Sequence, residues 1–153
     1  MPIDDNAGKE PVFFSFNRIL PYIKGDALDS IYGLGGFIDV ETTGLDACRD
    51  EIIELAIVLF AYNRKTGRIT GIVDEYTGLR EPSVPISKVA SRISGLTLQK
   101  VRGRCLDMEK IQSMLARAEF LVAHNAAFDK GFVSRLFTEA AQKPWLCSMR
   151  GVN

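Results

Sequence analysis

Residues 37–45 read Phe-Ile-Asp-Val-Glu-Thr-Thr-Gly-Leu, a short apolar segment that carries two acids and ends in a turn. The pattern predicts a strand over Phe37–Glu41, closed by the turn-forming residues Thr42–Gly44. Side chains two residues apart leave the same face of a strand, which places the Asp39 and Glu41 carboxylates about 6–7 Å apart, within reach of a shared cation. Acids are also common at strand ends because strand ends are exposed to solvent. The pair alone is therefore compatible with a cation site and with two solvated surface acids.

The elements on either side of this segment predict a mixed α/β sheet covered by helices. In chain order we expect a helix over about Asn17–Tyr32, a break at Gly33–Gly36, the strand Phe37–Glu41, strands Ile52–Phe60 and Ile69–Tyr76, a helix capped by Asp107, the strand Phe120–Ala123, and a helix capped by Asn125 that ends before Pro144. Strands that come first and are followed by a helix–strand–helix run are typical of this fold class.

Composition restricts the class of protein further. A chain of 153 residues and 17.0 kDa, with 46% hydrophobic and 25% charged residues, is the size and make-up of one globular domain. Its 19 basic and 19 acidic residues cancel, which argues against a broad electrostatic grip on nucleic acid. Three cysteines without C-x-x-C spacing disfavour a disulfide framework or a zinc site. With no long apolar run and no export signal, we expect a soluble cytoplasmic protein without a membrane partner.

Asp129 is a third acid that the predicted fold turns inward. Its line on the last predicted helix continues through Val133, Leu136 and Ala140, which are all apolar. Burying an unpaired carboxylate costs several kcal/mol, so Asp129 is salt-bridged, protonated or facing a cation. Three convergent carboxylates suit Mg²⁺ or Mn²⁺ and suggest two-metal phosphoryl chemistry.

Two segments resemble the first and second motifs of the DEDD 3′-5′ exonucleases. They are Phe37–Leu45 and the stretch Leu-Val-Ala-His-Asn-Ala-Ala-Phe-Asp at residues 121–129. Between them, residues 51–56 and 93–97 are similar to the intervening segments of the subgroup that contains the epsilon subunit of DNA polymerase III and ribonuclease T. We therefore expect a partly helical extension over residues 1–35 and an exonuclease domain over residues 36–153.

The resemblance implies a ribonuclease H-like fold, in which three antiparallel strands are followed by parallel additions. It implies hydrolysis of terminal phosphodiesters of single-stranded DNA or RNA from the 3′ end, with two Mg²⁺ or Mn²⁺ ions held by Asp39, Glu41 and Asp129. Asp39 would bridge both ions. The residues it assigns to substrate binding are Thr42, Thr43, Gly44, Leu45, His124, Asn125 and Phe128. Of these, Asn125 and Phe128 would hold the second motif's helix in place rather than take part in the chemistry. The partners it suggests are a single-stranded 3′ end and a polymerase or other replication or repair protein.

The sequence departs from the family after the second motif. The family's third motif supplies a fourth carboxylate and a His or Tyr that activates water. Here the only later acid is Glu139, about 15 Å further along the predicted helix. We therefore expect an exonuclease domain that is incomplete at its C-terminus and weak or inactive as this chain. The alternatives are a non-catalytic protein that binds nucleic-acid ends, a decayed remnant, or an interaction module whose acids are merely structural.

Three further features have a structural and a functional interpretation. His124 is the sole histidine, and we expect a hydrogen-bonded structural residue rather than the general base. Glu54, in an apolar strand, is expected to be a buried hydrogen-bonded acid rather than an extra ligand. Lys100, Arg102 and Arg104 are expected to form a solvated face rather than a phosphate contact.

Overall fold

The computed structural model describes residues 20–23 and 30–151 and contains five strands and six helices within those ranges. The strands are β1 (Tyr32–Thr42), β2 (Ile52–Asn63), β3 (Ile69–Leu79), β4 (Phe120–Ala123) and β5 (Trp145–Cys147). The helices are α1 (Lys88–Ser94), α2 (Leu98–Val101), α3 (Met108–Arg117), α4 (Ala126–Leu136), α5 (Thr138–Gln142) and α6 (Ser148–Gly151). No helix in the described ranges is long and apolar enough to span a bilayer.

The strands form one mixed sheet in the order β3-β2-β1-β4-β5. The first three strands are antiparallel neighbours, whereas β4 pairs in parallel with both β1 and β5. The predicted sheet of three antiparallel strands followed by parallel additions is therefore confirmed. This topology places the end of β1, with its two acids, next to the short strand that leads into α4.

The helices α3, α4 and α5 cover one face of the sheet. The alternating side chains Ile38 and Val40 of β1 pack against them in the main core, together with Leu121 of β4. Because neighbouring strand residues point to opposite faces, Phe37, Asp39 and Glu41 face away from these helices. The candidate catalytic acids of β1 therefore lie on the sheet face that the main core leaves free.

The predicted helix over Asn17–Tyr32 is wrong where the structure describes it. Tyr22 forms a parallel bridge to Ile72, with hydrogen bonds from the Ile23 amide to the Ile72 carbonyl (2.8 Å) and from the Ile72 amide to the Pro21 carbonyl (2.9 Å). Tyr32 already belongs to β1. Pro21 has no N–H for a helix, and the open edge of β3 offers its neighbours an extended partner. Residues 17–19 and 24–29 of that prediction lie outside the described residues.

Gly33–Gly36 continue β1 instead of breaking the chain before it. Across the sheet Gly35 is paired with Phe60 of β2 and with Phe120 of β4, whose rings lie over it. The space left by the missing side chain of Gly35 is thus filled by aromatic rings from both neighbouring strands. The glycines provide room for those rings, which is a reason for glycine that local sequence rules do not contain.

The helix expected to run from Asn125 to Pro144 is interrupted at Phe137. This residue has φ −130° and ψ 103°, which separates α4 from α5, and its ring is among the largest fully buried side chains. The extended residue lets both the Phe137 ring and Ala140 reach the core. Glu139, expected further along the same helix as Asp129, therefore lies on a separate helix and is exposed.

Candidate active site

Asp39 and Glu41 lie near the end of β1, on the face opposite the main core. Asp39 is paired with Ala56 of β2, and Glu41 with Glu54, directly before the register shift that ends the regular pairing. The side chains of Glu41 and Glu54 are therefore neighbours on the same face. Glu54 is half-buried beside the two motif acids rather than fully enclosed in the sheet.

Asp129 comes to the same place from the other side of the sheet. It lies in the first turn of α4, and only 4% of it is exposed. The Val40 backbone N–H, between Asp39 and Glu41 on β1, donates a hydrogen bond to Asp129 Oδ1 at 3.2 Å. The inward direction predicted for Asp129 is confirmed, and its hydrogen-bonding partner is the strand that carries the other two acids.

Burial raises the pKa of all three acids, and neighbouring carboxylates raise those of Glu41 and Asp129 further. Burial, followed by the charge of Asp39, raises the pKa of Asp129 to about 6, although the Val40 N–H opposes this shift. Burial raises the pKa of Glu41, with further contributions from Asp39, Glu54 and Asp129. Burial likewise raises the pKa of Asp39, even though water reaches much of its side chain, while His124 acts in the opposite direction. A bound cation would relieve the repulsion that Glu41 and Asp129 receive from neighbouring carboxylates.

The donor set fits a hard divalent cation by its chemistry. Asp39, Glu41 and Asp129 offer only carboxylate oxygens, and none of them takes part in an ion pair within the described residues. As the side chains lie, no group of three or more His, Cys, Asp or Glu side chains in the described ranges closes tightly enough to hold a metal ion. The assignment of these acids as metal ligands stays a prediction, supported by the charge interactions among them.

A cavity of about 500 Å³ opens beside Glu41, whereas Asp39 and Asp129 do not line it. Glu41, Thr42, Gly44 and Leu45 line it from the end of β1 and the following loop, and Phe128 lines it from α4. Leu45 is 83% exposed, so its side chain is available to a ligand. Five residues expected to hold metal or substrate thus meet around one opening.

Thr43 lies behind this cavity and does not line it. It is fully buried, and its N–H, carbonyl and hydroxyl are all engaged with other residues of the protein. The structure therefore places Thr43 in support of the cavity wall, whereas the resemblance assigned it to substrate binding.

His124 and Asn125 also lie away from the cavity. His124 lines a second cavity of about 210 Å³, mostly apolar, which also contacts Asp39. Its Nδ1 is 3.2 Å from the Ser148 hydroxyl, consistent with the expected structural role. Asn125 precedes α4 at the N-cap position, without a side-chain capping bond.

The sequence patterns do not predict the far wall of the 500 Å³ cavity. It is formed by α1, through Ser87 at the helix N-cap and the side chains Val89, Ala90 and Ile93. Val89 and Ile93 are 61% and 76% exposed. The available signal was a helical spacing of apolar residues without any buried partner, next to the segment 93–97 that resembles the family.

The basic cluster lies outside this cavity. Lys100, Arg102 and Arg104 are exposed, and the Lys100 ammonium donates to the Gly95 carbonyl at 2.8 Å. Their placement agrees with the solvated face that the sequence analysis favoured.

A sequence profile of an exonuclease family, RNase_T, matches residues 37–150. Among similar proteins, DNA polymerase III PolC-type from Thermotoga maritima is 36% identical over 137 residues, which cover 83% of this chain and 9% of that protein. The PolC-type polymerase of Listeria monocytogenes is 37% identical over 105 residues, which cover 65% of this chain and 6% of the relative. The chain therefore spans less than a tenth of these relatives.

Solved structures are also similar to this chain. Exonuclease X in complex with 5′ overhanging duplex DNA is 30% identical, with a TM-score of 0.52 over 75% of this chain and 60% of that one. E. coli Exonuclease I in complex with a dT13 oligonucleotide has a TM-score of 0.58 at 14% identity, over 79% of this chain and 31% of that one, a likeness of fold alone.

Proposed function

The chain belongs to the RNase_T family of exonucleases, within the DEDD superfamily of 3′-5′ exonucleases, and from that membership we propose that it hydrolyses the terminal phosphodiester at the 3′ end of a single nucleic-acid strand. The observation that carries the proposal is the hydrogen bond from the Val40 N–H to Asp129, which brings a buried carboxylate to the two acids of β1 beside an open cavity.

In this proposal Asp39, Glu41 and Asp129 hold two Mg²⁺ or Mn²⁺ ions. When bound, such ions supply an activated water and stabilise the charge on the attacked phosphate and the leaving oxygen. The chain's own part is to orient the carboxylates. The Val40 N–H fixes one oxygen of Asp129, and the rigid pairing of β1 with β2 fixes the spacing of the other two acids.

The 500 Å³ cavity accepts the terminal nucleotide. Its apolar walls, Leu45 on one side and Val89 and Ile93 on the other, suit the faces of a base, which gains by burial against apolar side chains whatever its identity. Glu41 stands at the acidic end of the same cavity, where the sugar and its phosphodiester would lie. A nucleotide in this position brings its phosphate to the acids and its base away from them.

A polymerase is the proposed context of this activity. The PolC-type relatives are named as DNA polymerases, and this chain corresponds to a small part of each. Removal of nucleotides from a growing 3′ end is an activity that a polymerase uses to correct its product, so we propose a replication or repair protein as the partner.

The proposed function is tested with a 5′-labelled single-stranded oligonucleotide and Mn²⁺. We expect slow stepwise shortening from the 3′ end, in keeping with the weak activity expected of this chain. The shortening should be lost in Asp39→Asn and retained in Glu139→Gln, a matched loss of one acid at an exposed site on α5. Binding of the 3′ end without shortening would instead support the non-catalytic end-binding protein. If the chain neither binds nor shortens the oligonucleotide, both the exonuclease and the end-binding protein are ruled out.

The apolar wall formed by α1 gives a prediction of its own. Ile93→Ala removes an exposed side chain that would cover a base, so we expect affinity for the oligonucleotide to fall about threefold to tenfold, with little change in thermal stability. Leu98→Ala, on α2 and 47% exposed but outside the cavity, is the control and should leave affinity unchanged. Fluorescence anisotropy with the labelled strand measures both variants. Equal losses in the two would contradict the assignment of this wall.

A further inference from the structure

The loop between β1 and β2 is closed by one side chain that neither motif assigns a role. Asp50 Oδ1 accepts a hydrogen bond from the Thr43 hydroxyl at 3.0 Å, and Asp50 Oδ2 accepts one from the Asp46 backbone N–H at 2.9 Å. The Asp50 N–H in turn donates to the Asp46 carbonyl at 2.7 Å. Both carboxylate oxygens are thus used to hold the loop that carries Gly44 and Leu45.

Gly44 fits this arrangement because it has no side chain. A Cβ at this position would lie 2.5 Å from Asp50 Oδ2 and 2.6 Å from Oδ1, well inside van der Waals contact. The loop backbone therefore lies directly on the Asp50 carboxylate. A glycine here is required by this close approach, since its φ is not positive.

Thr43 joins this carboxylate to both walls of the cavity. Its hydroxyl accepts a bond from the Glu51 N–H at 3.0 Å and its N–H donates to the Glu51 carbonyl at 2.9 Å, which ties it to β2. Its carbonyl accepts a bond from the Ser87 N–H at 2.9 Å, at the start of α1. One buried threonine thus fixes the distance between the Leu45 wall and the Ile93 wall, and Asp50 fixes the threonine.

We propose that Asp50 is a positioning residue for the substrate cavity. It holds Thr43 and the loop Thr42–Asp46 in place, so that Leu45 and α1 contact the terminal nucleotide from opposite sides. This inference rests on the proposed function. It goes beyond it by assigning nucleotide affinity to a carboxylate whose oxygens are both occupied by the protein. Asp50 also lines the cavity, but both of its carboxylate oxygens are engaged by the loop, so it acts on the nucleotide through Thr43 and the loop rather than on a reacting atom.

The test combines ligand affinity with amide hydrogen exchange. Asp50→Ala is expected to weaken binding of the labelled single strand about tenfold, because the loop loses two hydrogen bonds and samples other conformations. In the absence of ligand, exchange of the Asp46 and Glu51 amides should accelerate at least about tenfold, while exchange in α4 stays unchanged. Gly44→Ala displaces the same carboxylate and should reproduce both effects.

Conservative variants and a remote acid separate positioning from a general loss of stability. Thr43→Ser keeps the hydroxyl and should lose much less affinity than Thr43→Val, which removes it. Asp107→Ala removes an N-capping acid of α3, which accepts a bond from the Lys110 N–H at 2.9 Å, and should lower the melting temperature without changing affinity.

The outcomes distinguish this inference from the proposed function. If the wild-type chain binds the strand and Asp50→Ala binds it equally well, the positioning role is wrong while the proposed function stands. If Asp50→Ala weakens binding but Asp107→Ala weakens it as much, the effect is one of general stability and the inference is also wrong. If the wild-type chain does not bind, the proposed function fails and the inference fails with it.

Discussion

Asp129→Asn is expected to stabilise the metal-free protein and at the same time to abolish both its stabilisation by Mn²⁺ and its hydrolytic activity. A pKa raised from 3.8 to about 6 corresponds to a cost of roughly 3 kcal/mol once the group is ionised in the folded state. Asparagine keeps an oxygen that accepts the Val40 N–H bond, and it removes the charge. Allowing for the burial of the new amide, we expect a gain of about 1–2 kcal/mol at pH 7.5.

The pH dependence of this gain in stability follows from the direction of the Asp129 pKa shift. A carboxyl whose folded pKa lies above its unfolded pKa destabilises the folded protein progressively as pH rises through that interval. The advantage of Asp129→Asn should therefore be full above about pH 7 and should shrink as pH falls through 6 toward 4, where the wild-type carboxyl is protonated in the folded state.

Thermal unfolding in EDTA measures the stability of the metal-free protein, and unfolding in Mn²⁺ measures the stabilisation by the metal ion. The wild-type protein should melt higher with Mn²⁺ by mass action, whereas the variant should not respond. The weak hydrolysis expected of the wild-type chain should fall a further ~100-fold to ~1,000-fold in the variant, and so below detection, since a metal ion contributes several kcal/mol to the transition state. Glu139→Gln removes the same charge from an exposed site. It should leave the melting temperature in EDTA, the rise with Mn²⁺ and the hydrolytic activity unchanged. A variant that melts lower in EDTA, or that still responds to Mn²⁺, would contradict the site.

The parts of the fold that the sequence predicted well are those specified by neighbouring residues. Phe120–Ala123 has its predicted bounds, and Asp107 caps α3 through its side chain. The inward direction of Asp129 followed from helical spacing alone. Val133, four residues later on the same face of α4, is buried in the core. In each case the deciding interaction is local, so a short window of sequence contains it.

The parts that failed are specified by residues far away in the chain. Gly33 and Gly35 fit in a strand because rings from β2 and β4 fill the space left by their missing side chains, and no short window of sequence around these glycines contains those rings. The break at Phe137 is likewise set by the core that buries its ring. In the site, the α1 wall and Asp50 were missed because their contribution depends on a cavity and a loop closure that exist only in the folded chain.

Gly35→Val should be strongly destabilising although valine favours strands. Gly35 lies between Phe60 and Phe120 on the neighbouring strands, and a Cβ at this position would lie 2.8 Å from Phe120 Cζ. The strand preference of valine over glycine is worth about 1 kcal/mol. Overpacking costs about 1–3 kcal/mol or more, and here Phe60 is also held against Phe37, with ring centroids 4.6 Å apart. Because two rings lie against the added side chain, we expect the upper end of that cost, about 3 kcal/mol, and so a net loss of about 2 kcal/mol.

A double-mutant cycle identifies the cause of that loss. Phe60→Leu shortens the side chain that lies over Gly35 and should cost stability on its own. If ring contact is what penalises valine, the double variant Gly35→Val/Phe60→Leu should lose at least about 1 kcal/mol less than the sum of the single variants, as expected for residues in contact. Urea unfolding of the four proteins measures the coupling. Strict additivity, or a single Gly35→Val variant as stable as the wild type, would show that the rings yield freely, and the glycines of β1 would then need another explanation.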